Sequence, residues 1–226
     1  MDGKEKAGAW AAAQVSEGMM VGLGTGSTAG YFVRHLAQRV RDTGLKIRLT
    51  SSSISTTLLA EELGLSIMPM DQVGHLDLYG DGADEVDGRK RLLKGRGAAM
   101  VREKILAEMA DRFLVFIDPS KQVTRLGTLF PVPVEVLFSA RTLVARKLAS
   151  LGGQAVLRTG SGKDGPVITD EGNLVFDVRF PAERDASELE ILLDSFPGVV
   201  GHGLFTRLGD RITVVVGGPE GVSILA

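Results

Sequence analysis

The chain has 226 residues, 44% hydrophobic and 24% charged, which is enough for one large domain or for a domain with a smaller companion. Glycine contributes 29 residues, well above the usual ~7%, and cysteine is absent, so tight turns are prominent and a disulfide-built secreted scaffold is excluded. With 26 Lys and Arg against 28 Asp and Glu, the net charge of -2 leaves no basic footprint for nucleic acid and no polybasic membrane signal. An anionic partner would have to be small and locally held.

Met1-Asp2-Gly3-Lys4-Glu5-Lys6 runs into an Ala-rich stretch at 7–15 that lacks the long apolar core of a signal peptide. No run approaches the ~18 apolar residues of a membrane span, so the cytoplasm is the default compartment. Beyond it, apolar stretches of strand length alternate with stretches of helical period, the pattern of a mostly parallel sheet wrapped by helices. Residues 19–23 read as a buried strand, 28–40 as a helix with Phe32, Leu36 and Val40 at four-residue spacing, and Leu45, Ile47 and Leu49 as a second strand. A helix at 55–63 follows, then a strand through Leu76 and Leu78 ending just before Asp81, a helix at 98–110 and a buried strand at 113–117.

Residues 119–130 read as a linker, after which the rhythm changes. Val132, Val134 and Val136 form a strand broken by Pro131 and Pro133, which predicts an edge position. A helix at 140–151, strands at 155–158 and 174–180 around the loop Ser161-Gly162-Lys163-Asp164-Gly165, a helix at 186–196 and a strand at 199–205 complete βαββαβ, the order of a ferredoxin-like unit. Residues 212–216 should return to the first sheet. The expectation is therefore α/β: an open, mostly parallel Rossmann-like sheet with helices on both faces (1–128 with 206–226), plus a smaller ferredoxin-like α+β domain (129–205).

Gly24-Thr25-Gly26-Ser27-Thr28-Ala29 lies between strand and helix and matches G-x-G-x-x-A. A dinucleotide site also needs an acid at the end of the second strand, where this chain has Thr50-Ser51-Ser52-Ser53. What remains is an anion site: loop amides, a helix N-terminus and the hydroxyls of Ser27 and Thr28, a combination suited to a monophosphate. The plain alternative is a turn capped by Ser27 or Thr28.

Asp81-Gly82-Ala83-Asp84-Glu85-Val86-Asp87-Gly88 sets carboxylates at three-residue spacing directly after a strand, where an open α/β sheet presents its crevice. An EF-hand is excluded, since its twelfth position is Leu92; a magnesium site stays open, as does a plain solvated turn. In Lys94-Gly95-Arg96-Gly97-Ala98-Ala99 the glycines permit close backbone approach, so Lys94 and the following amides could surround an oxyanion, with Glu103 more than two turns along the helix facing the same space. Judged alone, Glu103 reads more readily as an ordinary solvated residue pairing with neighbouring lysines than as a catalytic group. Lys121, after another strand, could serve as a phosphate counter-charge. Without a G-x-S-x-G elbow, a Walker A loop or a cysteine, acyl-enzyme and P-loop chemistry lack their residues. Carboxylates and oxyanion donors instead suit proton transfer next to a carbonyl.

These stretches, with Arg102-Glu103-Lys104, Asp118-Pro119-Ser120-Lys121, Pro131-Val132-Pro133-Val134-Glu135-Val136 and Gly198-Val199-Val200-Gly201-His202-Gly203-Leu204-Phe205, resemble the type A ribose-5-phosphate isomerases across nearly the whole chain. The resemblance implies interconversion of ribose 5-phosphate and ribulose 5-phosphate in the non-oxidative pentose phosphate pathway, through an enediolate, with no cofactor and no metal. By carry-over, Glu103 is the base, Asp81 and Asp84 assist ring opening, and Lys94 with the amides of Gly95, Arg96 and Gly97 holds substrate oxygens. Thr25, Gly26, Ser27 and Thr28, with the loop Asp81, Gly82, Ala83 and Asp84, bind substrate, and Lys121 neutralises the phosphate. A homodimer or homotetramer is expected, with a small sugar phosphate as partner and neither nucleic acid nor membrane.

Three departures stand out. Arg96 replaces a third glycine, tolerable if its side chain points outward. An N-terminal lysine that binds phosphate in some relatives falls near Lys4, Glu5 or Lys6, so none is assigned, and the loop at 161–165 is longer than usual. A non-catalytic sugar-phosphate sensor and a sugar-phosphate deaminase or lactonase are the competing readings; the joint presence of Glu103, Lys94, Asp81 and Asp84 counts against the sensor.

Overall fold

The computed structural model describes residues 2–160, 162 and 164–225; Ser161 and Lys163, part of the loop noted above, lie outside the described residues. In chain order the elements are α1 (Gly3–Ala13), β1 (Met20–Leu23), α2 (Ser27–Thr43), β2 (Arg48–Ser51), α3 (Ile54–Glu62), β3 (Leu76–Gly82), β4 (Glu85–Asp87), β5 (Leu92–Leu93), α4 (Met100–Met109) and β6 (Ala110–Ile117). They continue with β7 (Gln122–Val123), β8 (Val132–Val136), α5 (Arg141–Ser150), β9 (Gln154–Leu157), β10 (Leu174–Arg179), α6 (Ala186–Asp194), β11 (Val199–His202), β12 (Leu204–Phe205), β13 (Ile212–Gly218) and β14 (Gly221–Ile224). Two compact units result, one of Met1–Ala83, Arg102–Gln122 and Leu208–Ala226, the other of Asp84–Val101 and Val123–Arg207. These differ from 1–128 with 206–226 and 129–205 chiefly at Asp84–Val101, because β5 pairs antiparallel with both β4 and β12 and so ties the lysine loop to the second unit.

The first unit holds a six-stranded sheet in the order β14-β13-β6-β3-β1-β2. Its five parallel strands, counted along the chain, lie 2-1-3-4-5, a doubly wound arrangement whose direction of winding reverses between β1 and β3. Residues β1 contributes are all buried, and the buried stripe Phe32, Val33, Leu36 and Ala37 seats α2 on this sheet. The unforeseen α1 packs on α2, capped at its start by Asp2, which accepts the Glu5 N–H at 2.8 Å, and at its end by Arg39, which donates to the carbonyls of Ala12 and Val15. No helix among the described residues is long and apolar enough to cross a membrane.

In the second unit an antiparallel sheet ordered β11-β8-β10-β9 carries α5 and α6, the ferredoxin-like order, over a core that includes Val134, Val136, Leu148, Phe176 and Leu193. Here the expectation for Pro133 is corrected: β8 is central, not an edge strand. The carbonyl of Pro133 accepts the N–H of Gly203 at 2.8 Å, so the side on which proline lacks an N–H faces a residue just beyond the end of β11. The chain passes from the first unit to the second at Gln122 and Val123, inside the expected linker 119–130, and the end of that linker is tied down. The buried carboxylate of Glu85 accepts the N–H groups of Gly127 (2.6 Å), Thr128 (3.3 Å), Leu129 (2.6 Å) and Phe130 (2.7 Å).

Candidate active site

In the first unit the site begins where β1 and β3 end. Gly22 pairs with Tyr79, and Tyr79 and Asp81, two apart on β3, face the same side. A Cβ at Gly22 would fall 2.8 Å from the Tyr79 ring, and one at Gly24 would fall 2.1 Å from the Asp81 carboxyl carbon. These glycines therefore make room for a ring and a carboxylate on the next strand. The strand runs through Asp81 to Gly82 instead of stopping before it, and Asp81 is fully buried. Asp81 Oδ1 accepts the N–H groups of Thr25 (3.0 Å) and Gly82 (2.7 Å), and Oδ2 accepts the Tyr79 hydroxyl at 2.5 Å.

Thr25 is thus not arranged as expected for a ligand-facing residue. Its amide is committed to Asp81, and its hydroxyl lies 2.8 Å from those of Ser52 and Ser53. The run 50–53 is an internal hydroxyl cluster, in which Ser53 caps α3 by accepting the Thr56 N–H at 3.1 Å and Thr56 donates to the Gly24 carbonyl at 2.8 Å. The cap of α2 is Gly26, with no side-chain hydrogen bond, and not Ser27 or Thr28. Ser27 is exposed and Thr28 half-buried at the opening of that helix, where amides without intrahelical acceptors collect.

Glu103 stands in the first turn of α4, only 4% exposed, not two turns in as expected. The helix begins at Met100 because Ala98 is left-handed (φ 60°). First-turn placement favours a carboxylate through the helix dipole. Burial first, then the charges of Asp81 and Glu103, push the Tyr79 hydroxyl well above the ordinary phenol range, while a hydrogen bond from Ser52 acts the other way.

Beyond β6, Lys121 lies in a turn of 3-10 helix capped by Asp118. Lys4 Nζ is 4.0 Å from Asp118 Oδ2, and although desolvation opposes the shift, hydrogen bonds from Ser120 and the charges of Lys4 and Lys121 hold that carboxyl below its usual value. Lys6 donates instead to the Pro219 carbonyl, which singles out Lys4 as the N-terminal lysine gathered with Lys121. His75, Asp77 and Asp111 place ligand atoms within 4.8 Å of one another at the opposite ends of these strands, where Asp77 already accepts the Met20 N–H.

In the second unit the acidic loop divides its labour. Asp87 accepts the N–H groups of Arg89 (2.9 Å) and Arg91 (3.0 Å) and pairs with the Arg91 guanidinium at 2.7 Å, holding a hairpin. Asp84 accepts the Arg96 N–H at 3.0 Å, which commits that amide and leaves those of Gly95 and Gly97 as the candidates for substrate oxygens. Arg158, which the sequence reading missed, donates to the carbonyls of Gly95 (3.0 Å) and Arg96 (3.1 Å) while its guanidinium is paired with Asp177. Lys94, 3% exposed, donates its N–H to the Gly203 carbonyl at 2.9 Å, and its Nζ lies 5.9 Å from the Phe205 ring centroid. A Cβ on residue 203 would fall 2.1 Å from the Lys94 carbonyl oxygen, so glycine is required there. The Arg96 side chain is exposed, with its guanidinium 5.0 Å from the Phe130 ring centroid.

Fold and side chains together define an open α/β protein that presents ordered carboxylates at the winding reversal of a parallel sheet, with a separately braced lysine loop. The profile of the family described as ribose 5-phosphate isomerase A (phosphoriboisomerase A) matches residues 48–221. A ribose-5-phosphate isomerase A from Thermosynechococcus vestitus is 49% identical over 205 residues, covering 90% of this chain and 87% of its own length. The structure of ribose 5-phosphate isomerase A from Methanocaldococcus jannaschii superposes with a TM-score of 0.93 at 41% identity, over 98% of this chain and 97% of that one. A D-ribose-5-phosphate isomerase in complex with phospho-erythronic acid matches with a TM-score of 0.93 at 40% identity, over 98% and 96% of the two chains. The chain belongs to the ribose 5-phosphate isomerase A family.

Proposed function

We propose that this chain interconverts ribose 5-phosphate and ribulose 5-phosphate with Glu103 as the proton carrier. Membership of the family supports the reaction. The observation that carries the assignment is the pair of buried carboxylates in one unit, Asp81 fixed by three donors and Glu103 at a helix start. A fixed carboxylate suits hydrogen bonding to sugar hydroxyls, and a buried one suits proton exchange with carbon.

In the forward direction Asp81 and Asp84 assist opening of the furanose by relaying the O1 proton to the ring oxygen. Glu103 then removes the C2 proton, and the electron pair forms the C1–C2 double bond as the C1 carbonyl becomes an enediolate oxygen. Lys94 and the amides of Gly95 and Gly97 supply the donors for that oxygen, each such donor being worth ~10²–10³ in rate. Glu103 returns the proton to C1, the C2 hydroxyl proton passes to O1, and the ketose results. Ser27, Thr28 and Lys121 take the phosphate, joined by Lys4, whose placement with Lys121 supports this role. A homodimer or homotetramer accompanies this reading, supported by the exposure of Leu137 and Phe138, and a cytoplasmic location, supported by the cysteine-free composition.

The test is to incubate EDTA-treated protein with ribose 5-phosphate, follow ribulose 5-phosphate, and run Glu103→Gln alongside. Turnover in the parent and a loss of at least ~10²-fold in the variant, with substrate binding retained, is the expected result. Near-normal turnover in the variant removes Glu103 from the mechanism. Binding without turnover in the parent indicates a sensor, and a different product a deaminase or lactonase.

A further inference from the structure

We propose that Tyr79 is a positioning residue for the isomerisation, its hydroxyl fixing the carboxylate of Asp81 throughout the cycle in which Glu103 gains and loses a proton. This rests on the roles given above to Asp81 and Glu103.

The strand geometry comes first. Residues 79 and 81 share a face of β3, and the Tyr79 ring stacks on Phe113 at 4.7 Å between centroids with 23° between planes. Gly22 leaves the space the ring occupies. With the ring held on both sides, its hydroxyl has one reach, and at that reach lies Asp81 Oδ2 at 2.5 Å. Of the three donors named for this carboxylate, the amides of Thr25 and Gly82 belong to the backbone, and the phenol is the one a point substitution can remove.

Packing alone does not call for a tyrosine. Phenylalanine would fill the same fully buried place with no hydroxyl to desolvate, so the hydroxyl is explained by what it donates to. Its surroundings give the reason. Two acidic side chains, Asp81 and Glu103, act electrostatically on this one phenol. During turnover the Glu103 charge disappears when it takes the C2 proton and reappears when C1 receives it. A phenol held against Asp81, and too weakly acidic to give up its own proton, keeps a donor on that carboxylate oxygen in both halves of that cycle.

The experiment is a cycle of Tyr79→Phe, Asp81→Asn and the double variant, with steady-state kinetics on ribose 5-phosphate and urea unfolding of each protein. Tyr79→Phe is expected to lower kcat about tenfold with KM within about twofold, and the double variant to be no slower than Asp81→Asn within about twofold, because Tyr79 acts through Asp81. Multiplying losses, an unchanged kcat, or a loss shared with KM and matched by a lower urea midpoint would each overturn the inference. If Tyr79→Phe fails to fold, Phe113→Leu keeps the hydroxyl and removes the stacked ring that aims it: a kcat loss of about two- to fivefold at constant KM supports the proposal, and none overturns it. An inactive parent would overturn the isomerase reading and this inference together, whereas an active parent with an indifferent Tyr79→Phe overturns this inference alone.

Discussion

The backbone N–H of Arg96 donates to Asp84 Oδ2 at 3.0 Å, while the Arg96 side chain turns outward over Phe130. Backbone and side chain of one residue thus serve separate purposes: the first shapes the lysine loop, the second covers an aromatic ring. Arg96→Gly should therefore leave kcat and KM within about threefold, since the amide persists. Asp84→Ala, which leaves the Arg96 amide without this acceptor, should lower kcat by at least about tenfold. Steady-state kinetics of the two variants checks the contrast.

Lys121→Ala should raise KM at least about fivefold while kcat stays within about threefold, because the phosphate is held equally in ground and transition states. Lys4→Ala should have the smaller effect in the same direction, as Lys4 lies within ion-pair reach of Asp118. The same titrations repeated in rising salt should narrow the gap between parent and variants. Equal activity on dephosphorylated ribose would remove the phosphate site altogether.

Glu85 serves the fold rather than the chemistry. Its buried carboxylate gathers four consecutive N–H groups at 127–130, and Glu85→Gln would set an NH₂ group against some of those donors. The expected loss is about 2–3 kcal/mol of unfolding free energy, read from urea titrations. A loss below about 0.5 kcal/mol would show that the segment holds itself together.

Asp185 offers a test by pH. The Arg91 guanidinium bonded to it, together with the Ser187 and Glu188 amides of the helix it caps, holds its carboxyl at about 2 against an ordinary 3.8, partly offset by desolvation. Lowered in the folded state, it adds stability that is fully present above the ordinary value and is lost as pH falls through about 2. Asp185→Asn keeps an effective cap and removes the charge. The stability difference between parent and variant should be constant above about pH 5 and shrink between about pH 4 and pH 2. A difference that stays flat across that window would show that Asp185 is not held by Arg91.

Much of the architecture was legible because hydrophobic period separates strand from helix in both units, and the βαββαβ order carried the second sheet. The place of β8 was not, because a proline is read as an edge signal when the partner beyond its missing N–H cannot be seen. Two-residue strands such as β5 and β12 have no period to detect, yet they decide to which unit the lysine loop belongs. Glu103 and Asp81 could be picked out by type and position. Tyr79 carried a usable signal in standing two residues before Asp81 on a strand, whereas Arg158 carried none, since its partners Gly95 and Asp177 are set by tertiary pairing.

Gly22 and Gly24 bear on how such a motif is inherited. Each is the hollow cast of a side chain across the sheet, so its tolerance to change is set by its neighbour on β3 and not by any ligand. A lineage that gave up the carboxylate at 81 would release Gly24 to drift, whereas Gly22 is held by Leu76 as well as by the ring at 79, and one that filled either hollow would displace the group opposite. Of the two, Gly24 is also the first glycine of the G-x-G-x-x-A stretch, so a steric pairing with β3 imposes one position of a pattern shared with nucleotide binders. Covariation between 22 and 79, and between 24 and 81, is the trace such a constraint leaves in a set of related sequences.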